Sequence, residues 1–229
     1  MKSAPVTSPE PASLDAGASP WEAAYLRFET PERETRKFVR RLQSLGAARW
    51  PRDVGVLELF CGRGNGLRAL AELGFSRALG VDLSAALVGS SGRRGDILVG
   101  DCRALPFADE SRDVAIVQGG LHHLLELPQD LERTFCEVRR VLRAGGRLVV
   151  VEPWRTPFLR MVHGLVANRF ARKLSRRLDA LGSMIELEGE TYETWLGQPA
   201  PILAALRASF EVEVCRTRWG KLFFVGRKA

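Results

Sequence analysis

No stretch of the sequence strings together the ~18 apolar residues that a membrane-spanning helix needs. No charged start leading into an apolar core marks a secretory leader. Cysteine is scarce: the 4 cysteines, at positions 61, 102, 136 and 215, show no C-x-x-C spacing and no metal-ligand pattern. That excludes a zinc knuckle or a disulfide framework and fits free thiols in a reducing compartment. The expectation is a cytoplasmic protein with no bound metal. Acidic residues are missing from one long segment, 155–177, which carries Arg155, Arg160, Arg169, Arg172, Lys173, Arg176 and Arg177. Much of the net charge of +7 is concentrated there, and its meaning depends on what surrounds it.

The share of hydrophobic residues, 45%, and of charged residues, 27%, is ordinary for a globular chain. A chain of 229 residues is long enough for one α/β domain and short for two. Residues 1–20 are rich in proline, serine and alanine with little to bury, and read as a disordered tail. Residues 21–229 read as a single domain, with a helical insert over about 154–200. The insert holds the basic segment, then an acidic loop with Glu186, Glu188, Glu190 and Glu193. Trp21, Tyr25 and Phe28 precede a helix opening at Pro31 and stopping near Gly46.

The stretch from Val54 to Leu70 organises the rest. An apolar run ends in Glu58, glycines stand at 62, 64 and 66, and a helical pattern follows, the signature of a buried strand turning into a helix. Neither a P-loop nor a dinucleotide fingerprint fits: no Gly-Lys-Ser/Thr follows, and Leu67 stands where a third spaced glycine is needed. Apolar runs ending in Asp82, Asp101, Gln118 and Glu152-Pro153 continue the strand–helix alternation. Five such rounds require a parallel sheet covered on both faces. An acid at the end of the second strand, Asp82, is placed to accept ribose hydroxyls, or equally to cap the next helix. Phe210 to Cys215 and Leu222 to Gly226, with Trp219-Gly220 between them, read as a closing hairpin.

Glu58 to Gly66 resembles motif I of the class I S-adenosylmethionine-dependent methyltransferases, E/D-x-h-x-G-x-G-x-G, with Phe60 where a first glycine is common. Gly100-Asp-Cys-Arg-Ala-Leu-Pro-Phe-Ala-Asp-Glu-Ser-Arg-Asp113 is similar to the small-molecule methyltransferases related to ubiquinone and menaquinone biosynthesis and to the sterol methyltransferases. The resemblance covers nearly everything from Trp21 to Gly226. It implies a Rossmann-like α/β fold: a seven-stranded, mostly parallel sheet, helices on both faces and a C-terminal antiparallel hairpin. It also implies S-adenosyl-L-methionine as cofactor, held by Glu58, Phe60, Gly62, Gly64, Gly66, Asp82, Leu83, Asp101, Cys102 and Gln118. Within that set Asp101 would meet the adenine amine and the Cys102 backbone N–H a ring nitrogen. Trp21 and Tyr25 would belong to a lid over the methionine end.

The implied activity is methyl transfer to a small-molecule acceptor, apolar or lipid-like. His122 and His123 follow the fourth strand, where acceptor and methyl should meet; one reading makes them a catalytic base and the other a structural hydrogen-bonding pair. His163, in the insert, is a further candidate base. No Asn/Asp-Pro-Pro-Tyr and no Pro-Cys follows that strand, as enzymes that methylate amino groups or pyrimidine carbons of nucleic acids would show. The basic segment admits a lid over an apolar substrate, a peripheral membrane contact, a site for an acidic substrate or a solvated helix face. The alternatives in function are an RNA methyltransferase using residues 155–177 and a silent cofactor-binding subunit. Oligomeric state is not legible.

Overall fold

The computed structural model describes residues 19–92 and 95–229. Of the expected tail, residues 1–18 lie outside the described residues, and Pro20 is already helical. Helix α1 (Pro20–Phe28) is followed by α2 (Pro31–Ser44), whose first turn is capped by the Thr30 hydroxyl accepting from Arg33 N.

The sheet is built from β1 (Val56–Leu59), β2 (Ala78–Asp82), β3 (Ile97–Val99), β4 (Arg112–Gln118), β5 (Leu142–Pro153), β6 (Glu211–Arg218) and β7 (Lys221–Arg227). Its order is β3-β2-β1-β4-β5-β7-β6. The first five strands run parallel and β7 is antiparallel to both neighbours. Seven strands, mostly parallel, with a closing hairpin agree with the expected fold. The crossover from β3 to β4 is an irregular loop over 100–111, in keeping with the turn that Pro106 implies in sequence. One detail differs: Ala144-Gly-Gly146, which in sequence reads as ending the helix before the fifth strand, lies inside β5, because Leu142 already pairs with Arg112 before the register shifts.

Alternation along the strands divides the core. Leu57, Leu59, Ala115, Val117, Leu148 and Val150 face α5 (Gln129–Val141) and α9 (Pro199–Ser209). Val56, Val114, Ile116, Val149 and Val151 face the side of α2 and α3 (Asn65–Glu72). All these residues are buried. Burial on both sides is why the parallel strands read as continuous apolar runs.

Between β5 and α9 stand α6 (Pro157–Ala167), α7 (Arg169–Leu174) and α8 (Arg176–Gly197). The acidic segment expected as a loop is the second half of α8, kinked at Gly189. It stays helical because Tyr192, Trp195 and Leu196 are buried in the core, where the Trp195 indole donates to Pro153 O at 2.8 Å. Helix α1 packs along α8. No described helix is long and apolar enough to cross a membrane.

Candidate functional site

The strand order reverses between β1 and β4, and ligands of such sheets lie outside the carboxyl ends of the strands at that point. Phe60, Gly62 and Gly64 all take positive φ, and Gly64 caps α3. Phe60 therefore adopts, at φ 55°, the left-handed backbone for which glycine is the usual residue there. Its ring lies on Gly120 in the exit of β4: a Cβ at 120 would come within 2.2 Å of Phe60 Cγ. The departure from the family pattern thus interlocks the two strand exits. Gly66 answers a different need, since a Cβ there would lie 1.7 Å from Glu58 Oε1.

Asp82 ends β2 and ties two turns together, accepting from Gly62 N at 2.7 Å and Ser84 N at 2.8 Å. The cap of α4 (Ala85–Ser90) is Ser84, whose hydroxyl accepts from Leu87 N, so capping does not account for Asp82. Leu83 is 71% exposed. Asp101 is gripped by Arg103, which donates from its backbone N at 2.8 Å and from Nη2 at 2.7 Å and also reaches Asp130 at 2.9 Å. The Arg103 hydrogen bonds hold the Asp101 carboxyl below its ordinary range. The Cys102 thiol is buried beside the Thr134 hydroxyl.

Buried polar atoms without a hydrogen-bond partner gather at this point. Among the described residues they include Glu58 Oε2, Arg63 Nε, Asn65 Oδ1 and both polar atoms of the Gln118 amide. Such atoms are costly unless something pairs with them, and these belong to the exits of β1 and β4 and the start of α3. Burial first, then the charges of Glu34 and Asp82, push the Glu58 carboxyl up to about 8. A zwitterionic amino-acid group fits this donor and acceptor set, so the residues present pass as a cradle for the cofactor's methionine end.

On the other side of Phe60, Glu152 ends β5 fully buried. Its Oε1 accepts from Gly120 N at 2.7 Å and Leu121 N at 2.9 Å, and its Oε2 accepts from His122 Nδ1 at 2.7 Å. His122 Nε2 faces Glu188 of α8 at 3.6 Å. The Trp21 indole donates to Glu188 and its ring stands edge-on to His123. Trp21 stacks on Tyr25, and the Tyr25 hydroxyl donates to Glu34, which also accepts from Asn65 Nδ2 at 2.8 Å. Helix α1 therefore joins the histidine cluster to the first turn of α3. His163 reaches the same cluster through Tyr192, 3.1 Å from its hydroxyl. Two surface cavities, of about 370 Å³ beside Cys136 and about 280 Å³ beside Trp50, lie away from the carboxyl ends of the strands.

Burial alone would pull His122 down, but the Glu152 carboxylate, its hydrogen bond and Glu188 outweigh it and raise the imidazole to about 9. Burial, then the His122 charge, push His123 down to about 4. Adjacent histidines thus carry opposite protonation at neutral pH. His122, His123 and Glu188 also bring ligand-type atoms within 4.8 Å of one another. A metal there would have to displace the His122 proton that two carboxylates hold.

Glu58 and His122 both bind a proton more tightly folded than unfolded. The contribution of each to stability is therefore expected to fall as pH rises, for Glu58 between its ordinary 4.5 and about 8 and for His122 between its ordinary 6.5 and about 9. His123, lowered to about 4, and Lys221, lowered by burial to about 7, act in the opposite direction, so the test is a difference: in urea unfolding from pH 5 to 10, the stability of wild type relative to Glu58→Gln should fall as pH rises to about 8, and a pH-independent difference would contradict the Glu58 assignment.

Residues 57–150 match the family profile described as a methyltransferase domain. That stretch, from β1 to β5, is where the chain is similar to a methyltransferase domain. Relatives of the chain include the demethylmenaquinone methyltransferase of Paenarthrobacter aurescens, 31% identical over 140 residues, 60% of this chain and 51% of that protein. Another is the demethylmenaquinone methyltransferase of Beutenbergia cavernae, 32% identical over 164 residues, 69% of this chain and 64% of that one. The chain spans about half the length of the curated relatives it matches. Among solved structures, the PH0226 protein of Pyrococcus horikoshii superposes with a TM-score of 0.65 at 19% identity, over 93% of this chain and all of that one. An S-adenosylmethionine-dependent methyltransferase of Mesorhizobium loti superposes at 0.52 with 21% identity, over 81% of this chain and 96% of that one. These likenesses establish the fold.

Sequence reasoning missed Glu34, Asn65, Glu152 and Glu188. Glu152 carried a usable signal, an acid ending a buried apolar run as Glu58 and Asp82 do. Glu188 carried none, since nothing local distinguishes it from the other acids of α8.

Proposed function

We propose that this protein transfers the methyl group of S-adenosyl-L-methionine to a small-molecule acceptor with an apolar body. The observation that carries the reading is the set of unpartnered buried polar atoms around Glu58, Asn65 and Gln118 at the β1/β4 switch point. The demethylmenaquinone methyltransferase relatives support a small, ring-bearing acceptor. The cofactor, when bound, supplies a methyl group already activated as a sulfonium.

The chain's own part is to hold, orient and exclude water. Glu58, Asn65 and Gln118 would hold the amino-acid end against the turn of Phe60, Gly62, Gly64 and Gly66. Asp82, whose carboxylate accepts the Gly62 and Ser84 backbone N–H groups, would meet the ribose hydroxyls as an acceptor. Asp101 and the Cys102 N–H would meet the adenine beside Leu83, with Arg103 yielding one oxygen of Asp101. Trp21 and Tyr25 would close over the methionine end, with Trp21 reaching the histidine pair beside it. His122 keeps its proton at neutral pH, so it would orient an acceptor oxygen rather than deprotonate it. His123 is uncharged and has the lone pair to receive a proton.

Titration calorimetry tests the core of the proposal. The wild-type chain is expected to bind S-adenosyl-L-methionine, and Asp82→Ala to bind it about tenfold more weakly or worse. No heat at millimolar cofactor, with the fold intact, would overturn it. With labelled cofactor and apolar quinol-type acceptors, His123→Ala is expected to lose about a hundredfold in kcat while cofactor affinity holds. A twofold change or less would reduce the histidine pair to a structural role.

A further inference from the structure

Among the described residues, large apolar side chains stand exposed in a group on the insert. Phe158, Met161 and Leu165 recur at i, i+3 and i+7 on one face of α6. Phe170 and Leu174, at i and i+4 on α7, are 76% and 89% exposed. Trp219, 65% exposed at the β6–β7 turn, meets Phe158 edge to face at 5.3 Å between centroids. The Asn168 side chain caps α7, accepting from Phe170 N and Ala171 N directly after α6 ends, so the two helices present this face from adjoining turns.

The charged residues that α6 and α7 themselves carry are all basic. Arg172 is committed to Asp179 and Glu186, and Arg177 to Glu29. Arg155 reaches Glu193 only at 4.0 Å. Arg160, Arg169, Lys173 and Arg176 are exposed, and no ion pair holds them among the described residues. Arg218 lies over the Trp219 ring. Long basic side chains beside exposed aliphatic and aromatic groups suit the boundary between lipid headgroups and acyl chains, where the stems lie along apolar surface and the heads reach phosphates. Aliphatic Met161, Leu165 and Leu174 offer no stacking face to a nucleic acid. A two-fold pairing of identical copies would set these unpaired cations against one another.

We propose that the face formed by α6, α7 and the β6–β7 turn docks the protein on an anionic lipid surface. Phe158, Phe170, Leu174 and Trp219 enter the interface, and Arg160, Arg169, Lys173 and Arg176 contact the headgroups. Docking there places the lid side of the domain toward the bilayer.

Co-sedimentation of the full chain with vesicles tests this. Binding to vesicles of phosphatidylcholine mixed with phosphatidylglycerol is expected to exceed binding to phosphatidylcholine alone by at least about tenfold at low salt and to weaken at high salt. Phe170→Ser with Leu174→Ser, both on exposed positions, should reduce binding by about tenfold with the circular dichroism unchanged. Arg169→Glu with Lys173→Glu should do the same. Equal binding to both vesicle types, or binding indifferent to these substitutions, would overturn the proposal. So would salt-dependent RNA binding that vesicles do not compete, or a dimer that the same substitutions dissolve without any vesicle binding.

Discussion

Replacing Glu152 by alanine is expected to destabilise the protein by about 3–5 kcal/mol, the range for removing one partner of a buried pair. The carboxylate is fully buried at the end of β5 and holds three groups at once: the backbone N–H of Gly120, that of Leu121, and His122 Nδ1. Alanine leaves all three without an acceptor and opens a void behind the histidine. Glu152→Gln is the informative companion. Its amide oxygen can still accept from both backbone N–H groups, so its cost should be smaller, about 1–2 kcal/mol. It removes the charge, however, and His122 should then titrate well below about 9, the value to which Glu152 and Glu188 hold it against burial. Urea unfolding measures the first effect and a histidine NMR titration the second. An alanine variant within about 0.5 kcal/mol of wild type would mean that Glu152 is not the anchor of this turn.

The second large effect is expected at Gly120. A Cβ there would lie 2.2 Å from Phe60 Cγ and 2.4 Å from Phe60 Cβ, and Cβ moves only if the backbone moves. That backbone is already committed to positive φ, and the β4 exit it would push against is held by Glu152. Gly120→Ala should therefore cost about 3 kcal/mol, the upper end of ordinary overpacking, and Phe60→Ala in the same chain should recover part of the loss. Gly66→Ala offers a contrast. Its new Cβ would meet a nearer atom, Glu58 Oε1 at 1.7 Å, but that oxygen ends a flexible side chain. Stability should fall less than for Gly120→Ala, and the loss should show in cofactor affinity as the displaced carboxyl leaves its place. Calorimetric unfolding and cofactor titration on the two variants would separate these outcomes; equal losses in both readouts would contradict the distinction.

The two predictions concern the same few ångströms, where the exits of β1, β4 and β5 meet. Phe60 sits on Gly120, Gly120 donates to Glu152, and Glu152 holds His122. The candidate cofactor cradle and the candidate acceptor side therefore share one support. Helix α1 adds a second link, from Trp21 through Glu188 to His122 and from Tyr25 through Glu34 to Asn65. A ligand that moves α1 would disturb both links.

The sequence by itself determined the strand–turn–helix at Glu58 to Gly66, the order of the strand ends at Asp82, Asp101 and Gln118, and the hairpin at Trp219-Gly220. These are local matters, since apolar periodicity and the backbone demands of turns act within a few residues. The expected loop over Glu186 to Glu193 failed for the converse reason: burial of Tyr192 and Trp195 against distant elements keeps it helical. Only the tertiary structure decided the chemistry of the histidines. His122 and His123 are neighbours with the same side chain, yet one is raised to about 9 and the other lowered to about 4. Glu152 lies 30 residues from His122 and Glu188 lies on another helix. A proton's affinity depends on burial and on charges a few ångströms away, and it is the fold that brings those charges to His122.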